Sequence, residues 1–161
     1  MEEIIKKWLH RDIDLDAAKA ISTRYSVPSV ISSLMWIKGL TDSEHVNSFF
    51  YPRIDNLIDP FKMLGMKDAV SRLLRAHVNK DTVLIFGDYD VDGISSASFF
   101  YLFLTSIGFN AEVFIPNREI DGYGFCDRGI ERAEEIGSNL IVTADCGINS
   151  VNEVAFANKK G

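Results

Sequence analysis

Three aspartates alternate with other residues directly after a strongly apolar run. Asp88, Asp90 and Asp92 follow residues 82–86, and Gly93 closes the segment. In an extended chain, side chains two residues apart lie on one side, so the three carboxylates would converge. Like charges this close repel one another unless a cation lies among them, and carboxylate oxygens suit hard divalent ions. The spacing therefore predicts a metal site, with a solvated loop whose aspartates cap the next helix as the alternative.

A fourth carboxylate, Asp145, follows another apolar run at residues 140–143. The carboxyl ends of parallel strands meet at the same edge of a sheet, which is where ligands bind. Asp145 can therefore converge on Asp90 and Asp92 and bridge two metal ions, as two-metal phosphoryl-transfer sites require. The alternative is a turn aspartate that serves only the loop before Gly147.

Three other kinds of site use a similar aspartate pattern. An EF-hand loop needs a bidentate glutamate at its twelfth position, where this chain has Phe99. A dinucleotide site needs a G-x-G-x-x-G motif after the strand, which is missing. The haloacid-dehalogenase phosphatases also place aspartates after a strand, but they need a lysine on a later strand, and residues 94–150 contain no lysine. That phosphatase class stays open as an alternative.

The carboxylates require a scaffold, and the pattern from residue 81 onward predicts one. Apolar runs indicate strands, helical spacing and capping residues (Asp127; Ser150 with Glu153) indicate helices, and the two alternate. Such alternation is typical of right-handed βαβ units on a parallel sheet with helices on both faces. We therefore predict a three-layer α/β fold with strands over 82–86, 111–115 and 140–143, and helices over 94–107, 127–137 and 150–160.

The first 80 residues have a different pattern, in which helices do not alternate with strands. They predict helices over 13–25, 28–38, 42–50 and 66–79, with an irregular segment at 51–64. Thr41 and Glu44 form a capping-box pattern for the third of these helices. The predicted organisation is a helical N-terminal segment, residues 1–80, packed on an α/β domain, residues 81–161.

Composition bounds the class of protein. The chain has 161 residues, of which 47% are hydrophobic and 25% charged, as in a globular domain. No apolar run approaches the ~20 residues of a membrane helix. The N-terminus MEEIIKKWLH is charged and has no apolar core, so it is not a signal peptide. The presence of only two cysteines indicates a reducing compartment. We therefore expect a cytoplasmic protein.

Residues 81–161 carry 5 Lys and Arg against 13 Asp and Glu, so phosphate binding there would need cations.

The aspartate segments and their neighbours resemble one known family. Residues 86–96, FGDYDVDGISS, resemble the first motif of the DHH phosphoesterase superfamily, and in particular its RecJ-type exonucleases, which degrade single-stranded DNA 5′→3′. Residues 115–118 and 121–124, IPNR and DGYG, are similar to a further RecJ-type segment, with Asp121 where glutamate is usual. Residues 143–148 resemble the second motif, and residues 59–61 and 66–70 resemble the lead-in of the same exonucleases.

The resemblance implies roles for particular residues. Asp90, Asp92 and Asp145 would be catalytic metal ligands, with Asp145 bridging two Mn²⁺ or Mg²⁺ ions that activate a water molecule. Asp88 would be a further ligand or would support the others. Candidates for contact with nucleic acid are Arg118, which could instead pair with Glu119 or Asp121, and Tyr123, with Tyr89 beside them.

The resemblance also implies what the 161 residues do not contain. The Asp-His-His motif that names the family would follow soon after Gly161, and His10, His45 and His77 all lie upstream. We therefore expect the front of a longer enzyme, inactive by itself. Its partners would be single-stranded DNA and, from the family, a helicase or single-strand-binding protein, with no membrane. The remaining alternative is a RecJ-like binding module without catalysis.

Two further expectations concern packing. The aromatic residues at 99, 100, 101 and 103 recur at helical spacing and predict a buried helix face rather than a base-stacking platform. Cys146 is expected to be a small buried hydrophobe, because a thiolate is a poor ligand for Mg²⁺ or Mn²⁺.

Overall fold

The structure is a computed structural model that describes residues 11–161. It divides into two compact units, of which the first ends at Asp59 and the second begins at Pro60. The predicted helix over 66–79 lies in the second unit, although the sequence pattern changes from helices alone to alternating strands and helices only at Asp81. The N-terminal MEEIIKKWLH segment, with His10, lies outside the described residues.

The first unit is helical, and we call it the helical unit. Its elements are α1 (Leu15–Tyr25), α2 (Ser29–Ile37), α3 (Ser43–Phe50) and a single 3-10 turn (Ile54–Asn56). One side chain from each α-helix is buried in a common cluster, namely Ile21, Met35 and Val46. Asp42 caps α3 by accepting hydrogen bonds from the backbone N–H groups of Glu44 and His45, both at 3.0 Å. The predicted Thr41 cap is therefore wrong, because the aspartate one residue later takes that place.

The second unit, which we call the sheet unit, contains three parallel strands in the order β2-β1-β3. The strands are β1 (Thr82–Gly87), β2 (Asn110–Phe114) and β3 (Ser138–Ala144). The helices are α4 (Met66–Asn79), α5 (Val91–Ser106), α6 (Arg118–Asp121), α7 (Asp127–Glu135) and α8 (Val151–Lys160), with a 3-10 turn at Pro60–Lys62. The predicted parallel α/β fold is confirmed.

The side chains of β1 alternate between two packed faces. Val83 and Ile85 lie in a fully buried cluster with residues of α4 and α5, including Leu104. Phe86 lies in a separate cluster with Ile130 of α7 and a residue of α8. Helices thus cover both faces of the sheet, and each fully buried side chain of this size contributes about 1.5–3 kcal/mol. The sheet holds the ends of β1 and β3 side by side.

Several predicted boundaries and caps differ from the observed ones. α5 begins at Val91 rather than at residue 94, because the Asp90 side chain caps it. α7 follows Cys126, so Asp127 is the first helical residue and not the cap. Ser150 precedes α8 but makes no capping hydrogen bond. The predicted loop over 117–125 contains the short helix α6.

The aromatic stripe of α5 is also different from the prediction. Phe99, Tyr101 and Phe103 are exposed, and only Phe100 packs partly against the core. The buried residues of α5 are small or sheet-facing ones such as Ala97, which allow close approach to the strands. The interpretation of the whole stripe as core is therefore wrong.

Two negative findings apply to the described part of the chain. Between residues 11 and 161 no helix combines the length and apolar character that a membrane crossing needs. Cys126 and Cys146 are both free thiols.

Candidate metal and nucleic-acid site

The loop between β1 and α5 buries the first aspartate. Asp88 is 1% exposed, and its Oδ1 accepts a hydrogen bond from the backbone N–H of Tyr89 at 2.8 Å. Its Oδ2 is buried without a hydrogen-bond partner. Such an oxygen loses its hydration without replacement, which is costly unless a proton or cation occupies the position. This orphaned oxygen is the feature of the loop that most directly points to a bound ion.

The backbone of this loop depends on Gly93. A Cβ atom added at Gly93 would overlap the backbone nitrogen and carbonyl oxygen of Asp88 and come within 2.6 Å of its carbonyl carbon. The first turn of α5 therefore lies directly against the backbone of Asp88. Residues with a side chain cannot occupy position 93 without moving the loop.

The other two aspartates of the segment have different local roles. Asp90 Oδ1 accepts hydrogen bonds from the backbone N–H groups of Asp92 at 3.1 Å and Gly93 at 3.0 Å. Asp92 lies in the first turn of α5. The extended alternation predicted for the segment is therefore wrong, and the capping alternative holds for Asp90. Both carboxylates are nevertheless exposed beside the loop.

Asp145 meets this loop from the neighbouring strand. Gly87 of β1 and Ala144 of β3 are register partners, so Asp88 and Asp145 each follow directly from a paired residue. Partial desolvation and the charges of Asp90, Asp92 and Asp88 raise the pKa of Asp145. The structure thus brings all four predicted carboxylates within electrostatic reach of one another, at the edge where β1 and β3 end.

Asp145 occupies an unusual backbone conformation. Its φ of 61° lies in the left-handed region, and Gly147 follows with a φ of 92°. A non-glycine residue in that region costs about 1–2 kcal/mol, which aspartate and asparagine tolerate best. The loop after β3 is therefore strained at Asp145. It is also open to solvent, because Asp145 is exposed.

The donor set suits a hard divalent cation, but no coordination sphere is formed. Within residues 11–161, no three His, Cys, Asp or Glu side chains are grouped closely enough to hold a metal ion. The convergent groups are carboxylates, and one of their oxygens is buried without a partner, which fits the ligands that Mg²⁺ and Mn²⁺ prefer. Partial burial, with the charges of Asp88 and Asp145, raises the pKa of Cys146 to about 11. Cys146 therefore remains a neutral thiol, but it is half-buried and not fully buried as predicted.

The candidate nucleic-acid residues lie next to these carboxylates. The guanidinium carbon of Arg118 is 5.3 Å from the ring centroid of Tyr89. Tyr89 and Tyr123 are in edge-to-face contact with centroids 6.4 Å apart. The charge of Asp88, followed by partial desolvation and the charges of Asp145 and Asp90, raises the pKa of Tyr123.

An ion pair that the sequence does not predict, between a buried carboxylate and a half-exposed arginine, holds the segment between these residues. The Asp121 carboxylate is 2% exposed and accepts hydrogen bonds from Arg128 Nη1 at 2.9 and 3.0 Å. It also accepts one from the backbone N–H of Asn117 at 2.7 Å. Asp121 therefore pairs with Arg128 and not with Arg118. The sequence pointed to Asp121 alone of these two residues, because Asp121 belongs to the family-like DGYG segment. Nothing in the spacing of the residues indicates Arg128 as its partner.

A separate cavity of about 530 Å³ lies beside β3. Residues of α7, β3 and α8 line it, together with Arg72 and Phe125, and none of the predicted site residues is among them. The concave space and the acidic edge of the sheet are therefore different places. The titratable groups converge at the acidic edge, which is therefore the candidate site.

Comparison with known proteins identifies the class to which this fold and site belong. Residues 82–161 match the N-terminal domain of the DHH family. This part of the chain therefore belongs to the DHH family. Within that family it is RecJ-like.

Two relatives illustrate the likeness. The single-stranded-DNA-specific exonuclease RecJ of Bacillus subtilis is 30% identical over 155 residues, which are 96% of this chain and 20% of that protein. The RecJ of Escherichia coli is 36% identical over 104 residues, or 63% of this chain and 18% of the relative. The chain thus spans about a fifth of the length of the curated relatives it matches.

Two solved structures resemble the fold. A structure of exonuclease RecJ bound to manganese has a TM-score of 0.54 and 29% identity, and covers 59% of this chain and 24% of its own. The RecJ of Thermus thermophilus in complex with Mn²⁺ has a TM-score of 0.56 over 91% of this chain and 20% of its own. At 22% identity, the second supports the fold alone.

Proposed function

We propose that this chain supplies the acidic part of the metal site of a RecJ-like exonuclease that hydrolyses single-stranded DNA from its 5′ end. The observation that carries the proposal is the buried Asp88 Oδ2 without a partner, among carboxylates that share one sheet edge. The names of the relatives, which are single-stranded-DNA-specific exonucleases, support the substrate class. The match to a DHH domain favours this function over a haloacid-dehalogenase phosphatase.

The residues divide the work as follows. Asp88, Asp90, Asp92 and Asp145 would hold Mn²⁺ or Mg²⁺, and the manganese-bound RecJ structure supports the first of these metals. The bound ions would supply an activated water for attack on a phosphodiester. Asp90 keeps its Oδ1 on the helix N-terminus, so it orients the first turn of α5 as well as the site. Arg118 and Tyr123 would contact the nucleic acid.

Metal binding is tested by calorimetric titration of Mn²⁺ into the chain. The wild type should bind weakly, because carboxylates alone form an open site, and Asp90→Ala/Asp92→Ala should lose the heat. Glu131→Ala, an exposed carboxylate of α7, is the matched control and should bind like the wild type. Equal heats for the wild type and the double variant would remove the metal assignment.

Nuclease activity is tested with 5′-phosphorylated single-stranded DNA and Mn²⁺. The 161 residues alone should not cleave above background, since residues of a catalytic constellation act as a unit. A longer protein that also carries the Asp-His-His segment should cleave, and Asp145→Ala should abolish its activity. Asp90-dependent cleavage by the short chain would show that these carboxylates suffice. Binding without cleavage by the longer protein would favour the non-catalytic module.

The family resemblance extends the proposal to the cellular setting. A helicase or a single-strand-binding protein is the proposed protein partner, and DNA repair or recombination in the cytoplasm is the proposed process and place.

A further inference from the structure

The segment between β2 and α7 contains an arginine without a carboxylate partner. Of the three arginines that follow β1, Arg128 pairs with Asp121, and Arg132 pairs with two glutamates. Arg118 forms no ion pair with any residue in the described part of the chain, and its guanidinium lies over the Tyr89 ring instead. An unpaired guanidinium can bind an oxyanion such as a phosphate through parallel hydrogen bonds. Arg118 is therefore the arginine of this region that can accept an anion.

A carboxylate that could neutralise Arg118 lies three residues away in α6. Side chains three residues apart lie on the same side of a helical turn, where opposite charges pair. The Asp121 carboxylate is instead 2% exposed, and it accepts hydrogen bonds from Arg128 at 2.9 and 3.0 Å and from the Asn117 backbone at 2.7 Å. Arg128 thus occupies the carboxylate that Arg118 would otherwise contact.

Arg128 is itself supported from the core. Its guanidinium carbon is 5.8 Å from the ring centroid of Phe114, at the end of β2. Phe114 stacks against the fully buried Phe86 of β1, with ring centroids 5.5 Å apart. The sheet therefore helps to fix the position of Arg128, independently of the segment that Arg128 contacts through Asp121.

The segment around α6 has little other support. Every residue from 117 to 123 except Asp121 is exposed, including Ile120 at 72% and Tyr123 at 76%. The segment therefore buries no apolar side chain, and the Asp121 carboxylate is its one buried attachment to the rest of the sheet unit. Its position depends on an ion pair rather than on packing.

Loss of the Arg128 charge would leave the Asp121 carboxylate buried and uncompensated. Removing one partner of a buried ion pair is costly, because the remaining charge has neither water nor a counter-ion. The nearest cation along the chain is then Arg118, three residues before the carboxylate. A turn of Asp121 toward Arg118 would neutralise both groups and withdraw Arg118 from any ligand.

We propose that Arg128 is a positioning residue that keeps Arg118 available for a phosphate group of the nucleic acid. It does so by holding the Asp121 carboxylate, and neither Asp121 nor Arg128 contacts the ligand. The inference rests on the proposed function, because that function makes Arg118 a contact to single-stranded DNA. It adds that the acid of the DGYG segment needs a cation of its own.

The test follows the Arg118 side chain by NMR in the ¹⁵N-labelled 161-residue chain, without any ligand. The Nε–Hε signal of Arg118 is assigned by its loss in Arg118→Lys. In Arg128→Gln this signal should shift, because Asp121 then pairs with Arg118. In Arg128→Gln/Asp121→Asn it should return to its wild-type position, because no carboxylate remains to capture Arg118. Glutamine keeps a hydrogen-bond donor at a half-exposed position, so the fold is retained.

Two further variants separate charge from structure. Arg128→Lys keeps a cation beside Asp121 and should leave the Arg118 signal near its wild-type position. Arg132→Gln removes the neighbouring arginine of α7, which pairs elsewhere, and should also leave the signal unchanged. An unchanged Arg118 signal in Arg128→Gln would overturn the inference. A shift that persists in the double variant would overturn it too, because it would reflect damage to the loop rather than capture of Arg118.

The consequence for nucleic acid is measured in the longer protein that carries the Asp-His-His segment, with 5′-phosphorylated single-stranded DNA and Mn²⁺. Arg128→Gln should raise KM about tenfold or more, the usual effect of losing a hydrogen bond to a charged group, and should leave kcat nearly unchanged. Arg118→Gln should raise KM by the same factor, and adding Asp121→Asn to Arg128→Gln should restore it.

The two measurements separate this inference from the proposed function. A wild-type longer protein that neither binds nor cleaves the DNA would overturn the proposed function, and with it the role of Arg118, even if the Arg118 signal behaves as expected. Normal cleavage by the wild type with an unchanged KM in Arg128→Gln would overturn the inference alone.

Discussion

The loops after β1 and after β3 each present carboxylates at the same sheet edge, yet they are built in opposite ways. In the first, Asp88 is buried and Gly93 lies against its backbone. In the second, Asp145 is exposed in a left-handed conformation and Gly147 follows at a φ of 92°. One loop is fixed by packing, whereas the other stores backbone strain. The difference indicates that the first loop forms a rigid part of the site and that the second can adjust to an ion.

The largest effect should come from filling the packed loop. Gly93→Ala would overlap the backbone of Asp88, which cannot move without displacing the end of β1. The free energy of unfolding should fall by about 3 kcal/mol or more, as measured by urea denaturation. Ser95→Ala, an exposed position in the same helix, should stay close to the wild type. A small loss at Gly93 would show that this loop is not rigid.

The corresponding change in the open loop should cost less. Gly147→Ala places a Cβ atom 2.9 Å from Thr143 Oγ1 at a positive φ, but a side chain can give way more easily than a backbone. We expect a loss of about 1–2 kcal/mol in the free energy of unfolding. In a Thr143→Ala background, the loss should shrink toward the backbone strain alone. An equal cost at both glycines would remove the contrast between the loops.

Neutralising the buried carboxylate should have a smaller effect of opposite sign. Asp88→Asn removes a charge whose Oδ2 has no partner, so the free energy of unfolding without divalent ions should stay unchanged or rise by about 0.5–1 kcal/mol. Added Mn²⁺ should stabilise the wild type more than the variant, because a ligand that binds only the folded state stabilises it. A clear fall in melting temperature would reveal a structural role for the ionised group.

The smallest effect should come from the exposed aspartate, and it should depend on pH. Desolvation and neighbouring charges raise the pKa of Asp145 in the folded state, so its ionisation disfavours folding. This penalty is missing below the ordinary pKa of 3.8 and appears as the pH rises through the raised value. Asp145→Asn should therefore raise Tm at neutral pH and leave it unchanged near pH 3, as measured by thermal unfolding at the two pH values. A gain that persists in acid would have to come from backbone strain instead.

The convergence of the carboxylates at the candidate site could be predicted from sequence because it depends on strand ends. Apolar runs identified β1 and β3, and parallel pairing then required that Asp88 and Asp145 meet. The internal conformation of the first loop could not be predicted in the same way. Asp88 and Asp90 are both chemically able to cap the next helix, and only the close approach of Gly93 to Asp88 decides that Asp90 does so.

The errors elsewhere have similar physical causes. α5 is apolar on nearly all sides, so its sequence does not reveal which face meets the sheet; Ala97 lies inward because it permits close packing, and Phe99 is left outside. Asp121 and Arg128 belong to different elements, so no helical or strand period relates them. Their pairing depends on how the chain turns between β2 and α7.

The Asp121–Arg128 pair has a consequence for solvent exchange. Asn117 precedes α6 and lies in neither a strand nor a helix, so its amide hydrogen would ordinarily exchange rapidly with deuterium. Here that hydrogen is donated to a carboxylate that is itself shielded from water. Its exchange therefore requires the segment that this carboxylate holds together, residues 117–128, to open as a whole. In deuterium exchange, the amides of the loop after β2 should therefore exchange together as a small cooperative unit. The lifetime of the closed loop should be set by one ion pair.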